Sequence, residues 1–358
     1  MAAAVPLTVL TGFLGSGKTT LLKRLLEDPG MAGTAVLINE FGEVGIDNAL
    51  IEKVDDDAVL LPSGCVCCAV RGDLVEALEK LHTKSLWGDI PPMRRALLET
   101  TGLADPTPIV HTLMTEERVY RIYQLDGVVT TVDAQLGLTQ IDEHFEPAKQ
   151  IAIADRLVIT KTDLTTPQTV ARLRARIGTL NRAAPIREAV KGDVPVSELI
   201  GLGAHEPAIT NADPERWLSA DKYAASDAHE HHHHDHDHDC HDAGCQHPHH
   251  EHLHGIQSFC LTFDVPLDGA DLSNALQLLA QLYGGKLLRV KGIVNVKGEP
   301  NPFVIHGVQH IFYPPDVLQR WPSESRTSRL VFITKDLPES TLRRHFKPFL
   351  GEAIGAAA

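Results

Sequence analysis

Apolar positions in this chain cluster into short runs separated by longer amphipathic stretches. The first run, PLTVL (residues 6 to 10), meets glycine-rich punctuation and then a helical stretch beginning near Lys18. Similar runs recur as TAVLI (34 to 38), AVLL (58 to 61), RALLE (95 to 99), GVVTTVD (127 to 133) and RLVIT (156 to 160), each with the length of a strand. Helical-length stretches such as GDLVEALEKL and TVARLRARI lie between most of them. Such alternation predicts an α/β fold, a mostly parallel sheet flanked by helices, continuing to about residue 200.

From residue 205 the pattern fails. Residues 229 to 254, HEHHHHDHDHDCHDAGCQHPHHEHLH, have no apolar periodicity and cannot build a core, so a solvated linker without fixed structure is expected. Strand-like segments resume at IQSFCLTFDV (256 to 265), followed by an amphipathic LSNALQLLAQLY and then KLLRVKGIVNV, PFVIHGVQHIFY and RLVFIT. The expected division is therefore 1 to 204, a linker over 205 to 255, and a smaller C-terminal α+β domain over 256 to 358. No internal repeat is visible.

GFLGSGKT, Gly12 to Thr19, satisfies G-x-x-x-x-G-K-[ST] between the first strand and the first helix, the context that a phosphate loop requires. Gly12, Gly15 and Gly17 let the backbone curl until its N–H groups converge on phosphate oxygens. Lys18 is expected to reach the β- and γ-phosphates, and Thr19 to offer its hydroxyl to Mg²⁺. The bland alternative is a glycine-rich turn without a ligand. TKTD (160 to 163) ends a late strand, at the sheet edge where such folds bind ligands. A carboxylate at Asp163 can accept from N1–H and the 2-amino group of guanine, and Lys161 can lay its stem along the base, which favours GTP over ATP.

LPSGCVCCAV (61 to 70) packs Cys65, Cys67 and Cys68 into four positions. A disulfide among them would close a tiny strained ring, so metal binding, redox chemistry and simple packing are the readings to weigh. Thirteen of the twenty histidines fall between His229 and His254, interleaved with acids and two cysteines. Such a segment can hold several divalent ions weakly, or serve as a passive hydrophilic linker.

Composition narrows the partners. With 358 residues, 43% of them hydrophobic, the chain can bury a sizeable core and fits two domains better than one. A formal charge of −14 without a Lys/Arg block argues against nucleic acid and anionic membrane. No apolar run has the length of a membrane span, and the start MAAAVPLTVLTGFLG lacks a basic n-region, so a cytoplasmic location is expected.

Taken together, TGFLGSGKTT (11 to 20, containing Ser16 and Thr20), INEFGEVGID (38 to 47), GCVCC (64 to 68), ETTGLADP (99 to 106), TKTD and the late LLRVKGI (287 to 293) resemble the CobW/YjiA-type metallochaperone GTPases. The resemblance covers nearly the whole chain. It implies a P-loop GTPase with a CobW-type C-terminal domain that binds a transition metal and delivers it to a client metalloprotein. Zinc is the first expectation, with cobalt as in cobalamin biosynthesis as an alternative. Ser16 and Thr20 join the nucleotide loop by this match, while Glu99 and Gly102 match the segment sensing Mg²⁺ and the γ-phosphate. Lys18 and Glu99 are the expected catalytic pair. The stretch 39 to 47 would be a switch loop, whose Glu40 or Glu43 would supply a fourth ligand beside the three cysteines. Thr160 departs from the N-K-x-D form of the guanine motif, a substitution this family accepts. The competing function is a metal store built on the histidine segment. The resemblance leaves the client open and admits a homodimer.

Overall fold

The computed structural model describes residues 4–39, 59–63, 71–202, 218, 255–321 and 325–351. Seven strands form the first sheet: β1 (Val5–Gly12), β2 (Thr34–Asn39), β3 (Val59–Ser63), β4 (Arg95–Glu99), β5 (Tyr123–Asp133), β6 (Arg156–Thr160) and β7 (Ile186–Ala189). Their order is β3-β2-β4-β1-β5-β6-β7, and every pairing is parallel. The expected parallel sheet is therefore present. Strand β7 and the first four residues of β5 add to it.

Consecutive apolar residues in these strands serve opposite faces. Ala35 and Leu37 enter one core, while Val36 between them enters the other; Ala96 and Leu98 divide from Leu97 in the same way. A sheet covered on both sides explains why the strands read as unbroken apolar runs. Helix α1 (Lys18–Leu26) covers one face through Leu21, Leu22 and Leu25. The opposite core takes in α2 (Arg71–Trp87), α3 (Thr107–Thr115), the single turn α4 (Glu117–Tyr120), α5 (Gly137–Glu143), α6 (Phe145–Ile153) and α7 (Pro167–Leu180).

The second sheet contains β8 (Ile256–Phe263), β9 (Leu287–Val294), β10 (Phe303–Val308), β11 (Ile311–Phe312), β12 (Asp316–Val317) and β13 (Ser328–Lys335). It runs β11-β10-β9-β13-β8, with β12 on β10, and its pairings are antiparallel. Helices α8 (Gly269–Tyr283) and α9 (Glu339–Leu350) bury one face of it through Leu272, Leu279, Leu342 and Phe346. Asp268 caps α8 by accepting from the N–H groups of Ala270 and Asp271, which satisfies two of the donors that a helix start leaves open.

The other face of this sheet packs on helices α6 and α7 of the first unit. Ile256, Leu288, Val308 and Ile333 belong to the same core cluster as Ile151, Ile153 and Leu180 of α6 and α7. A charge cluster lies within that apolar contact. Asp155, in the link between α6 and β6, accepts from Arg289 at 2.6 Å and from Lys291 at 2.7 Å through Oδ1, and from the backbone N–H of Val128 at 3.0 Å through Oδ2. All three side chains are buried. Burial alone would push the Asp155 carboxyl up, but the two cations outweigh it and hold it at about 2. Burial pushes the Lys291 ammonium down, against the pull of Asp155. The two cations of LLRVKGI thus fasten the second sheet to the start of the strand that ends in TKTD.

Asp155→Asn leaves Arg289 and Lys291 buried without their anion, and is expected to cost roughly 3–5 kcal/mol at neutral pH in urea unfolding. The folded pKa lies below the ordinary carboxylate value, so the contribution is present above about pH 4 and is lost as pH falls toward 2. Wild type and variant should therefore converge in acid; a constant difference between pH 7 and pH 2.5 would assign the effect to something other than this carboxylate.

Candidate nucleotide and metal site

Strand β1 lies between β4 and β5, the central position of the sheet, and the loop leaving its carboxyl end is Gly12 to Gly17. Gly17 is the N-cap of α1 with φ 89°, a left-handed conformation that glycine adopts without a Cβ clash. The helix N-terminus and its open N–H groups thereby face the loop, an arrangement suited to anions. Lys18 begins the helix, and its ammonium donates back to the carbonyls of Gly12 (2.9 Å) and Phe13 (3.2 Å). The cation is thus held over the concave side of the loop. Ser16 is buried and its Oγ lies 2.7 Å from Thr131 Oγ1 on β5, which pins the loop to the neighbouring strand. Thr20 is exposed on the first turn of α1.

Two oxygens converge beside this loop. The Thr19 hydroxyl donates to Glu99 Oε1 at 2.8 Å, and Glu99 is buried at the end of β4, in register with Leu10 of β1. A hydroxyl and a carboxylate, both oxygen donors, suit a hard cation such as Mg²⁺. Gly102 follows three residues later against the loop itself. A Cβ there would stand 2.7 Å from the Leu14 nitrogen and 2.8 Å from its Cα, so the backbones touch only because residue 102 has no side chain.

The TKTD segment closes the other side. Thr160 donates to the Ser16 carbonyl at 2.7 Å, which ties TKTD to the Gly12–Thr19 loop. Lys161 has φ 58°, and its ammonium bridges the Gly15 carbonyl (2.7 Å) and Asp133 Oδ2 (2.6 Å). Its stem therefore crosses from the end of β6 to the loop. Asp163 is exposed in the short turn Thr162–Leu164 that follows.

Three positioning residues escaped the sequence reading. Asp133 holds Lys161 and also accepts from the N–H groups of Gln135 and Leu136. It ends the run GVVTTVD, and a carboxylate finishing a buried strand at the ligand edge was the available signal. Thr131, in the same run, anchors Ser16. Gln150, buried on α6, donates to the carbonyls of Gly102 (3.3 Å) and Ala104 (2.9 Å), fixing the segment after Glu99. Only the fold brings residue 150 to residue 102.

The structure thus gathers Gly12, Gly15, Ser16, Gly17, Lys18, Thr19, Glu99, Gly102, Lys161 and Asp163 around the carboxyl ends of β1, β4 and β6. Cys65, Cys67, Cys68, Glu40, Glu43 and the histidine segment lie outside the described residues. Among the described residues, no group of three or more His, Cys, Asp or Glu side chains is placed to hold a metal ion. No described helix is long and apolar enough to cross a membrane.

Comparison with known proteins agrees with this geometry. The family model described as the CobW/HypB/UreG nucleotide-binding domain matches residues 6–188, and that of the cobalamin synthesis protein CobW C-terminal domain matches residues 256–350. The zinc chaperone YjiA of Escherichia coli is 32% identical over 344 residues, covering 96% of this chain and 98% of its own. The zinc-regulated GTPase metalloprotein activator 1 of Schizosaccharomyces pombe is 31% identical over 330 residues, covering 86% of this chain and 76% of its own. The crystal structure of Zn(II)-bound YjiA GTPase superposes with a TM-score of 0.68 at 27% identity, covering 97% of this chain and 99% of that one. With both halves matched and the phosphate loop assembled at the sheet's central strand, the chain belongs to the CobW family of nucleotide-binding proteins.

Proposed function

We propose that this protein is a GTP-hydrolysing zinc metallochaperone, in which the nucleotide at residues 12 to 19 gates a zinc ion carried by Cys65, Cys67 and Cys68 for transfer to a client metalloprotein. The observation that carries the reading is the Thr19–Glu99 pair at 2.8 Å beside the phosphate loop, in a chain similar along nearly its whole length to zinc chaperones. The nucleotide unit is taken to run to residue 204 and the C-terminal domain to start at 256, with the histidine-rich linker between.

In this reading the loop N–H groups and Lys18 take the phosphates, and Lys18 turns from the Gly12 and Phe13 carbonyls toward the incoming charge. Thr19 and Glu99 would hold Mg²⁺, which when bound neutralises charge on the phosphates. Glu99 extends one methylene further than an aspartate and can act through water. Gly102 reports the γ-phosphate, since it lies against the Leu14 backbone and any shift of one moves the other. From Glu99 and Gly102 the signal reaches the end of β2, because Ile38 is in register with Glu99. Glu40 or Glu43, immediately beyond β2, then completes or releases the cysteine site. Zinc affinity rises with GTP only as far as GTP affinity rises with zinc. Asp163 reads the guanine edge, with Lys161 anchored by Asp133 so that its stem lies along the base.

The decisive measurement is Zn²⁺ titration against chromogenic chelators with Mg²⁺-GTP, with Mg²⁺-GDP and without nucleotide. A GTP-driven gain of about two decades, near 2.7 kcal/mol, is expected in wild type and should vanish when Cys65, Cys67 and Cys68 become serine while GTP binding persists. Equal zinc affinity in all three nucleotide conditions would sink the gating mechanism. Base choice is tested separately: Asp163→Ala should erase most of a wild-type preference for GTP over ATP, and a wild type without preference would remove the role given to Asp163. Gly102→Ala forces a Cβ onto the Leu14 backbone and should weaken GTP binding by about tenfold or more, equivalent to roughly 1.4 kcal/mol, with circular dichroism unchanged. Fluorescent-nucleotide binding at the wild-type level would show that the loop can shift without penalty.

A further inference from the structure

His111, on α3 of the nucleotide unit, and His310, at the tip of the β10–β11 hairpin of the second sheet, meet with their Nε2 atoms 3.0 Å apart. They are 199 residues apart in sequence. The rings are tilted by 51° with centroids 4.9 Å apart, so each presents its Nε2 edge to the other. His310 is exposed and His111 half-buried, which leaves the junction open to water. The two anchoring elements are short and tied down. Val308 pairs with Ile311 across a two-residue turn, and Gln309 in that turn has φ 54°. Residue 310 also lies against Gly284, where a Cβ would stand 2.5 Å from the His310 Cβ.

The partner of the second ring nitrogen assigns the chemistry of His111. The Thr115 hydroxyl donates to the His111 carbonyl at 2.9 Å, so its lone pairs are left to accept from His111 Nδ1 at 3.3 Å. With the proton on Nδ1, Nε2 carries the lone pair and points at His310. This is the tautomer that a metal-binding imidazole needs, fixed by an outer hydrogen bond in the way that ligating histidines are usually held. Two nitrogens at the usual 2.0–2.1 Å from one ion are separated by about 3.3 Å in a tetrahedral site and about 2.9 Å at right angles. The observed 3.0 Å falls between these.

We propose that His111 and His310 form a two-imidazole site for a divalent transition ion, Zn²⁺ being the probe of choice, which clips the C-terminal sheet to the nucleotide unit. The ion replaces the shared proton between the rings. His310 moves its proton from Nε2 to Nδ1 through solvent, so both rings bind as neutral ligands and no net proton is released. Water fills the remaining positions, which makes the site weaker than one built from thiolates and open to exchange. It is distinct from the cysteine site and does not depend on the gating mechanism proposed above.

Histidine footprinting with diethylpyrocarbonate on the full chain, read by peptide mass spectrometry, resolves this site from the histidine-rich segment. Zn²⁺ should lower the reactivity of His111 and His310 together, several-fold and at the same zinc dose. His310→Ala should abolish zinc protection of His111, and His111→Ala that of His310. The Cys65, Cys67 and Cys68 serine variant should keep both protections, so that failure of the cysteine reading and failure of this one are told apart. If the two rings react alike with and without Zn²⁺ while residues 229 to 254 are protected, the pair is a hydrogen bond alone and the site does not exist. Persistence of His111 protection in His310→Ala would overturn it equally.

Discussion

Asp155 is the point on which the two sheets depend. One carboxylate accepts from the backbone of β5, from Arg289 and from Lys291, with no exposed surface to dilute the attraction. A charge cluster so deep is expensive to assemble, because the charges must be stripped of water, and removing Asp155 leaves two buried cations without their shared carboxylate. What it adds is direction. Apolar contact through Ile256, Leu288, Val308 and Ile333 is non-directional, whereas the carboxylate adds directed bonds to Arg289 and Lys291 at 2.6 and 2.7 Å. Because Asp155 directly precedes β6, this anchor and the segment Thr160 to Asp163 lie at opposite ends of the same strand.

The nucleotide side follows a parallel logic. The phosphate loop is held by contacts to its own backbone: Thr160 on the Ser16 carbonyl, Lys161 on the Gly15 carbonyl, Lys18 on those of Gly12 and Phe13. Residues from β1, β5, β6 and α1 thus share one curled loop. Strand ends, rather than long loops, supply the rigid part of the site, and Thr160 at the end of β6 has a structural task there in its bond to the Ser16 carbonyl.

Most of the parallel sheet was legible because strands buried on both faces are rich in apolar residues on both of them. What escaped was polar at the surface or bonded across long separations. Ile186–Ala189 forms the edge strand β7 with two charged residues in four positions, so nothing in its pattern marks it. The start of β5 hides behind Gln124 and Asp126, although Asp126 is buried and accepts from Thr8 and Gly201. PFVIHGVQHIFY read as one run but folds as a hairpin, since Gln309 makes the turn without glycine, proline or asparagine. The phosphate loop and TKTD were readable as local strings. Asp133, Thr131 and Gln150 were not, because their partners lie 28, 115 and 46 to 48 residues away.

Strand order has a further consequence, for the nascent chain. Among the seven strands of its sheet, the one carrying the phosphate loop is synthesised first, yet its two neighbours are β4, at residues 95–99, and β5, at 123–133. Both edges of β1 stay open until β4 has been made, and one of them until β5 has been made, an arrangement prone to pairing with other chains. The nucleotide loop is therefore translated early and assembled late.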